Sequence, residues 1–155
     1  MQERRGWSYL AAGVLAFVTL GVFYVLQYYG PESVVRRLHT VGLSMDQYVD
    51  ARIPFQPSLL NRKDRNELAE STTASAPQDL AFLMDNVIRP IGVLNGNYQI
   101  ARIDYQHSDQ VTLAVLYRYP FQPPAAMVWI VTLDNGNWKV NVAQTVNTIR
   151  EMRGH

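Results

Sequence analysis

The 155-residue sequence predicts an α+β protein: one N-terminal transmembrane helix, then helices packed on a curved four-stranded antiparallel sheet. Three observations predict it. Residues 6–30 contain no charged side chain. Between Pro31 and Ile88 apolar residues recur in steps of three and four, the period of a helix. From Tyr98 onward they alternate in steps of two, and turn signals separate the runs. Helices followed by an antiparallel meander is the α+β order. The chain divides into a tail (1–5), a span (6–30) and one domain (31–155).

The span reads GWSYLAAGVLAFVTLGVFYVLQYYG. At about 1.5 Å per residue it can cross a hydrocarbon core of roughly 30 Å. Trp7 and Tyr9 at one end, and Tyr28 and Tyr29 at the other, are the aromatic anchors of the two interfaces. Gly30-Pro31 interrupts the helix where it leaves the lipid. A cleavable signal peptide is the rival, but its apolar core runs only roughly 7–15 residues, and Gln27-Tyr28-Tyr29-Gly30 lacks the small residues of a cleavage site. A buried core helix seldom runs this far without a charge. Ala12, Gly13, Ala16 and Gly21 are small residues that permit close packing against another transmembrane helix. Arg4 and Arg5 lie closer to the lipid than Arg36 and Arg37. The tail is therefore expected in the cytoplasm of a bacterial cell, across the inner membrane from a periplasmic or otherwise extracytoplasmic domain.

Pro31–Ile53 reads as an amphipathic helix through Val34, Leu38, Val41, Met45, Tyr48, Val49 and Ile53, with Pro31 suited to its first turn and Pro54 to its end. Asn61–Glu70 is either a short exposed helix or a loop. Ser71–Pro77 is a polar loop. Ser75 with Gln78 has capping-box spacing, and Leu80, Leu83, Met84, Val87 and Ile88 then form a stripe that Pro90 and Gly92 terminate. Tyr98–His107 is a strand with a bulge. Val111, Leu113, Val115, Tyr117 and Tyr119 share one face of the next. Met127, Trp129, Val131 and Leu133 share one face of the third. Trp138, Val140 and Val142 open a fourth that extends toward Ile149. Ser108-Asp109 and Asp134-Asn135-Gly136 are the hairpin turns.

Composition narrows the chemistry. Charged residues are 17% of the chain, against roughly 25% in a typical globular protein. The deficit belongs to the span, which carries none. Basic and acidic residues balance beyond Pro31, so the net charge of +1 belongs to the tail. A neutral domain has no basic stripe for nucleic acid. The absence of Cys excludes disulfides, thiol nucleophiles and thiolate metal sites. His39, His107 and His155 show no metal-ligand spacing. Neither a Ser elbow nor a phosphate-cradling glycine loop occurs. No catalytic residue, metal or cofactor is expected.

In Val111–Tyr117 and Val128–Val140, a strand ending in Asp-Asn-Gly is followed by Trp138-Lys139-Val140. This pattern resembles the last hairpin of the nuclear transport factor two-like, or cystatin-like cone, superfamily. The resemblance covers about 95 residues with the helices, and its specific part is about 30 residues. Leu59–Ser75 does not match the three helices and short strand often found there. The resemblance implies helices packed in the concave face of a bent sheet, a fold used by enzymes and binding modules alike. The bitopic periplasmic scaffold of type IV secretion machines has the same order of tail, span and cone.

Enzymes of that superfamily place an Asp, sometimes with His or Tyr, inside the cone. The candidates here are Asp85, Asp104, Tyr105, His107 and Arg118, with Asp104, Tyr105 and His107 the alternative pocket for a small molecule. Asp104–His107 lies near a strand end, where it would meet solvent, and Asp85 flanks its stripe. Tyr119, Phe121 and Trp129 are the candidate partner surface, because Tyr119–Pro124 is a rigid aromatic and proline segment of the kind used at interfaces. Asp46, Asp50 and Arg52 could add a polar rim. The expectation is a non-enzymatic single-pass scaffold or accessory subunit, in a respiratory or photosynthetic assembly or a type IV secretion-like machine. Its partners would be the bilayer and other integral membrane subunits. The alternative is a membrane-anchored cone that binds or transforms a small molecule.

Overall fold

The computed structural model describes residues 3–45, 50 and 52–154, with backbone alone for 3–7 and 26–29. The side chains of Trp7, Tyr28 and Tyr29, and all of Asp46, Tyr48, Val49 and His155, lie outside the described residues. The architecture is α+β, with one sheet in the order β1-β2-β3-β4, antiparallel throughout.

Helix α1 spans Glu3–Tyr29, and every side chain from Ser8 to Val25 is exposed. Its window Ser8–Val25 has a mean hydropathy of 1.9 and is long and apolar enough to cross a membrane. Gly30 then adopts an extended conformation, and Pro31 opens helix α2, Pro31–Ser44. This helix is shorter than its apolar period suggested. Ile53 lies in a turn and is 44% exposed, so it is not part of the helical stripe. The buried face of α2 carries Val34, Val35, Leu38, His39 and Val41.

The charged run resolves as a helix, α3 (Arg62–Ser71), capped by the Asn61 side chain on the Asp64 amide at 2.8 Å. Leu68 is its apolar anchor, while Ala69 remains exposed. Helix α4 (Pro77–Leu83) begins at Ala76 without a side-chain cap, so Ser75 and Gln78 form no capping box. A π-helical segment, Met84–Ile88, leads directly into α5, Arg89–Val93. Pro90 therefore does not end the helix as expected. Proline has no N–H to donate, and one wide turn, closed by the Arg89 amide on the Met84 carbonyl, carries the chain past it. The helix ends instead at Asn95, whose φ of 52° makes the left-handed cap.

Strand β1 (Asn97–His107) has two register shifts against β2, at Ile100/Arg102 and Tyr105/His107, and such bulges bend and twist a strand. Strands β2 (Gln110–Arg118) and β3 (Ala125–Asp134) bury Val111, Leu113, Val115, Tyr117, Trp129 and Val131 on one face. Asn135 and Gly136 both have positive φ, the geometry of a two-residue turn into β4 (Asn137–Val140). The fourth strand stops there. Beyond Asn141 the chain forms a helix, α6 (Val142–Arg153), rather than a strand reaching Ile149.

That helix has a clear physical role. Because β4 is short, β3 would expose unpaired backbone groups from Ile130 back to Ala125. The Asn141 amide donates to the Ile130 carbonyl at 2.8 Å, and the Ile130 amide donates to the buried Thr145 hydroxyl at 3.0 Å. Val142, Val146 and Ile149 fill the core beneath, and Arg150 pairs with Asp79 at 3.3 Å to hold α6 against α4.

Candidate functional site

One polar cluster of the interior is built on α2. His39 is fully buried and stacks on Tyr98 with ring centroids 4.1 Å apart. Its Nδ1–H donates to the Val35 carbonyl at 2.7 Å. A carbonyl can only accept, so the neutral ring leaves Nε2 to accept from the Tyr117 hydroxyl at 2.8 Å. The Trp129 indole N–H donates to the same Tyr117 oxygen at 2.9 Å. Burial lowers the His39 pKa from 6.5 to about 4, with the Val35 carbonyl opposing and Arg36 adding to the shift. Burial likewise pushes the Tyr117 phenol well above its ordinary value. Each hydrogen bond in this chain is satisfied. The cluster is a polar bolt through the core, and Trp129, expected on a partner surface, is buried within it.

A second bolt spans the segment between α2 and α3. Arg89 is 3% exposed and donates to the carboxylate of Asp85 at 2.7 Å, one turn earlier. It also donates to the backbone carbonyls of Ile53 at 2.7 Å and Asp50 at 3.2 Å. The other Asp85 oxygen accepts the Phe55 amide at 3.0 Å. Asp85 is thus a structural clamp. It borders an open cleft of about 470 Å³ whose lining includes Arg52, Ile53, Val93 and Leu94.

The residues expected of the alternative pocket lie on the surface of β1. Tyr105 is 70% exposed and His107 is exposed at the end of β1, while half-buried Asp104 pairs with Arg102 at 3.0 Å on the strand surface. These residues line none of the described clefts. Arg118, also exposed, bonds to the Gln99 side chain. Among the described residues, no three His, Asp or Glu converge as metal ligands.

The aromatic segment between β2 and β3 holds the least ordinary backbone. The Gln122 amide bonds to the Tyr119 carbonyl at 3.3 Å, closing a turn with Pro120 and Phe121 at its centre. Phe121 has a φ of 62° and is fully exposed. Pro followed by a left-handed residue fits a type II turn, whose third position usually holds Gly. A bulky side chain there is strained, by about 1–3 kcal/mol. Tyr119 is half-buried and covers Gly96, where a Cβ would meet the Tyr119 ring at 2.7 Å. Of the three expected surface aromatics, then, Phe121 alone projects fully. Sequence reasoning could not see its backbone strain, nor the burial of His39 and Arg89.

On the span, Tyr9 is exposed, and a Cβ added at Gly13 or Gly21 would meet open space. Comparison of the chain with known protein families, with curated proteins and with solved structures finds no match.

Proposed function

We propose that this chain is a non-enzymatic, single-pass membrane protein whose domain serves as a scaffold or accessory subunit of a larger membrane complex. One observation carries the reading. The apolar window of α1 is wholly exposed, while the domain completes its core from α2–α6 and the sheet without it. Roughly 25 cal/mol per Å² disfavours leaving such a surface in water, so lipid is its natural environment. Tyr9, Trp7, Tyr28 and Tyr29 would anchor its two ends, and Ala12, Gly13, Ala16 and Gly21 would admit a neighbouring membrane helix. The tail would lie in the cytoplasm and the domain in the periplasm. Placement in the cystatin-like cone superfamily belongs to the same proposal. Phe121 is the contact residue offered to a protein partner.

Mild-detergent purification of the full chain tests this reading. Stoichiometric recovery of other integral membrane subunits is expected, and a lone monomer carrying a small molecule would overturn it. For topology, Ser108→Cys should react with an impermeant thiol reagent in cells whose outer membrane is permeabilised. Labelling only after lysis would reverse the orientation.

A further inference from the structure

A polar groove lies beside the first turns of α2, the helix that follows the apolar helix α1. Its walls include Val34 and Arg37 of α2, Ala69 and Glu70 of α3, and Gly136, Asn137, Trp138 and Lys139 of the β3–β4 hairpin. The volume is about 490 Å³, within the range of small-molecule sites.

The charges inside it do not neutralise one another. Lys139 is held by Asp134 at 3.2 Å, and Arg36, on the neighbouring face of α2, by Glu32 at 3.5 Å. Arg37 has a buried Nε with no acceptor among the described residues. One turn before Glu70, the Glu67 Oε2 is buried with no donor. Glu70 itself has no ion-pair partner among the described residues. A cation and a carboxylate thus line one groove with no ion-pair partner among the described residues. Leaving the buried Arg37 Nε without an acceptor costs free energy that a ligand would recover.

Position along the chain suggests which ligand. Arg37 follows the helix break at Gly30 by seven residues, about 10 Å of helix at most. The headgroup layer extends roughly 5–7 Å beyond the hydrocarbon on each side, and an arginine stem can bridge the remainder.

We infer that the groove receives the headgroup of a phosphatidylethanolamine-type lipid, with its phosphate at Arg37 and its primary ammonium at Glu70. A purely anionic headgroup would satisfy Arg37 but face the Glu70 carboxylate. A quaternary ammonium has no N–H to give that carboxylate. Only a zwitterion with a protonated amine answers both walls. Half-buried Trp138 supplies an apolar side for the glycerol end. The inference rests on reading α1 as a membrane span.

The test uses the full chain in non-ionic detergent, given equal amounts of dioleoyl phosphatidylethanolamine, phosphatidylcholine and phosphatidylglycerol, with adducts counted by native mass spectrometry. Phosphatidylethanolamine should be retained about tenfold over either competitor, the worth of one charge-assisted hydrogen bond. Glu70→Gln should bring it to parity with phosphatidylcholine, and Arg37→Gln should weaken all three. Glu70 is exposed, so its variant folds and carries the test even if the Arg37 variant does not. Equal retention by the wild type, a preference that survives Glu70→Gln, or displacement by millimolar inorganic phosphate would each overturn the site. Alkaline washing of membranes separates the two levels. A chain that stays with the membrane but shows no lipid preference refutes the groove alone, whereas a chain released by the wash refutes the span.

Discussion

The buried His39 makes the domain sensitive to acid in a defined window. Its folded pKa is about 4 and its unfolded value 6.5. The folded value is depressed, so the unfolded chain takes up a proton at a pH where the folded chain does not. The corresponding stability is fully present above pH 6.5 and is lost as pH falls toward 4. A shift of about 2.5 units at 1.36 kcal/mol each makes the loss about 3 kcal/mol. Tyr98, Tyr117, Trp129 and the Val35 carbonyl surround the ring, and Arg36 is the nearest charge named in its shift. No carboxylate is among these neighbours to reward protonation. Carboxylates elsewhere also begin to titrate near pH 4, so the measurement must be a difference. His39→Gln keeps a donor and an acceptor but no titration near neutrality. Urea unfolding of both proteins in the same detergent, followed by near-ultraviolet circular dichroism from pH 7.5 to 4, gives that difference. The wild type should lose about 3 kcal/mol more than His39→Gln across the window. Parallel curves would show that His39 is not held neutral by burial.

Three further substitutions probe the packing and the turn. Gly42 sits where α2 crosses the π-helical segment, and a Cβ there would collide with Ile88 Cγ2; Gly42→Ala should cost about 1–3 kcal/mol of stability, read from the urea midpoint. Arg89→Met leaves Asp85 without its cation and two backbone carbonyls without their donor, so a loss of about 3–5 kcal/mol is expected in the same assay. Phe121→Asn replaces a strained residue with one that tolerates the left-handed region; thermal stability should hold or rise, by up to about 2 kcal/mol, while recovery of partner subunits falls.

Local features were legible in the sequence because their causes are local. A charge-free run, an alternating strand and an Asn-Gly turn need no tertiary contact to be recognised. The errors arose where two local signals overlapped or a distant contact decided. Val142 continues the alternation of Trp138 and Val140, so the strand pattern ran on into α6. The competing signals were the Asn141 cap on the Gln144 amide and the Val142, Val146, Ile149 spacing. Pro90 is a helix breaker by itself, yet the packing of Met84, Val87 and Ile88 stabilises the wide turn that passes it. The groove was invisible because Arg37 and Glu70 lie far apart in sequence and meet only through the packing of α2 on α3. Trp129 lies mid-strand on the alternating apolar face of β3, so its burial was legible, whereas Phe121 lies in a turn outside any period, and only its backbone shows that it projects.

Two places where the described residues leave a physical cost unrelieved lie at opposite ends of one strand. Phe121 precedes β3, and the groove residues Gly136–Lys139 come after it. A ten-residue strand at about 3.3 Å per residue separates them by roughly 30 Å. Strain and unpaired charge are retained where function needs them, so their separation assigns different partners to the two ends. With the groove taken as the membrane-facing end, Phe121, at the far end of β3, is the residue offered to protein. A photo-crosslinking amino acid in place of Phe121 should therefore capture protein, and the same probe in place of Asn137 should capture phospholipid, as read by mass spectrometry of the adducts. Asn137 is exposed beside the groove, so its replacement leaves the core intact. Lipid captured at 121, or protein at 137, would invert the arrangement. Protein at both positions would refute the lipid groove and leave the Phe121 surface standing.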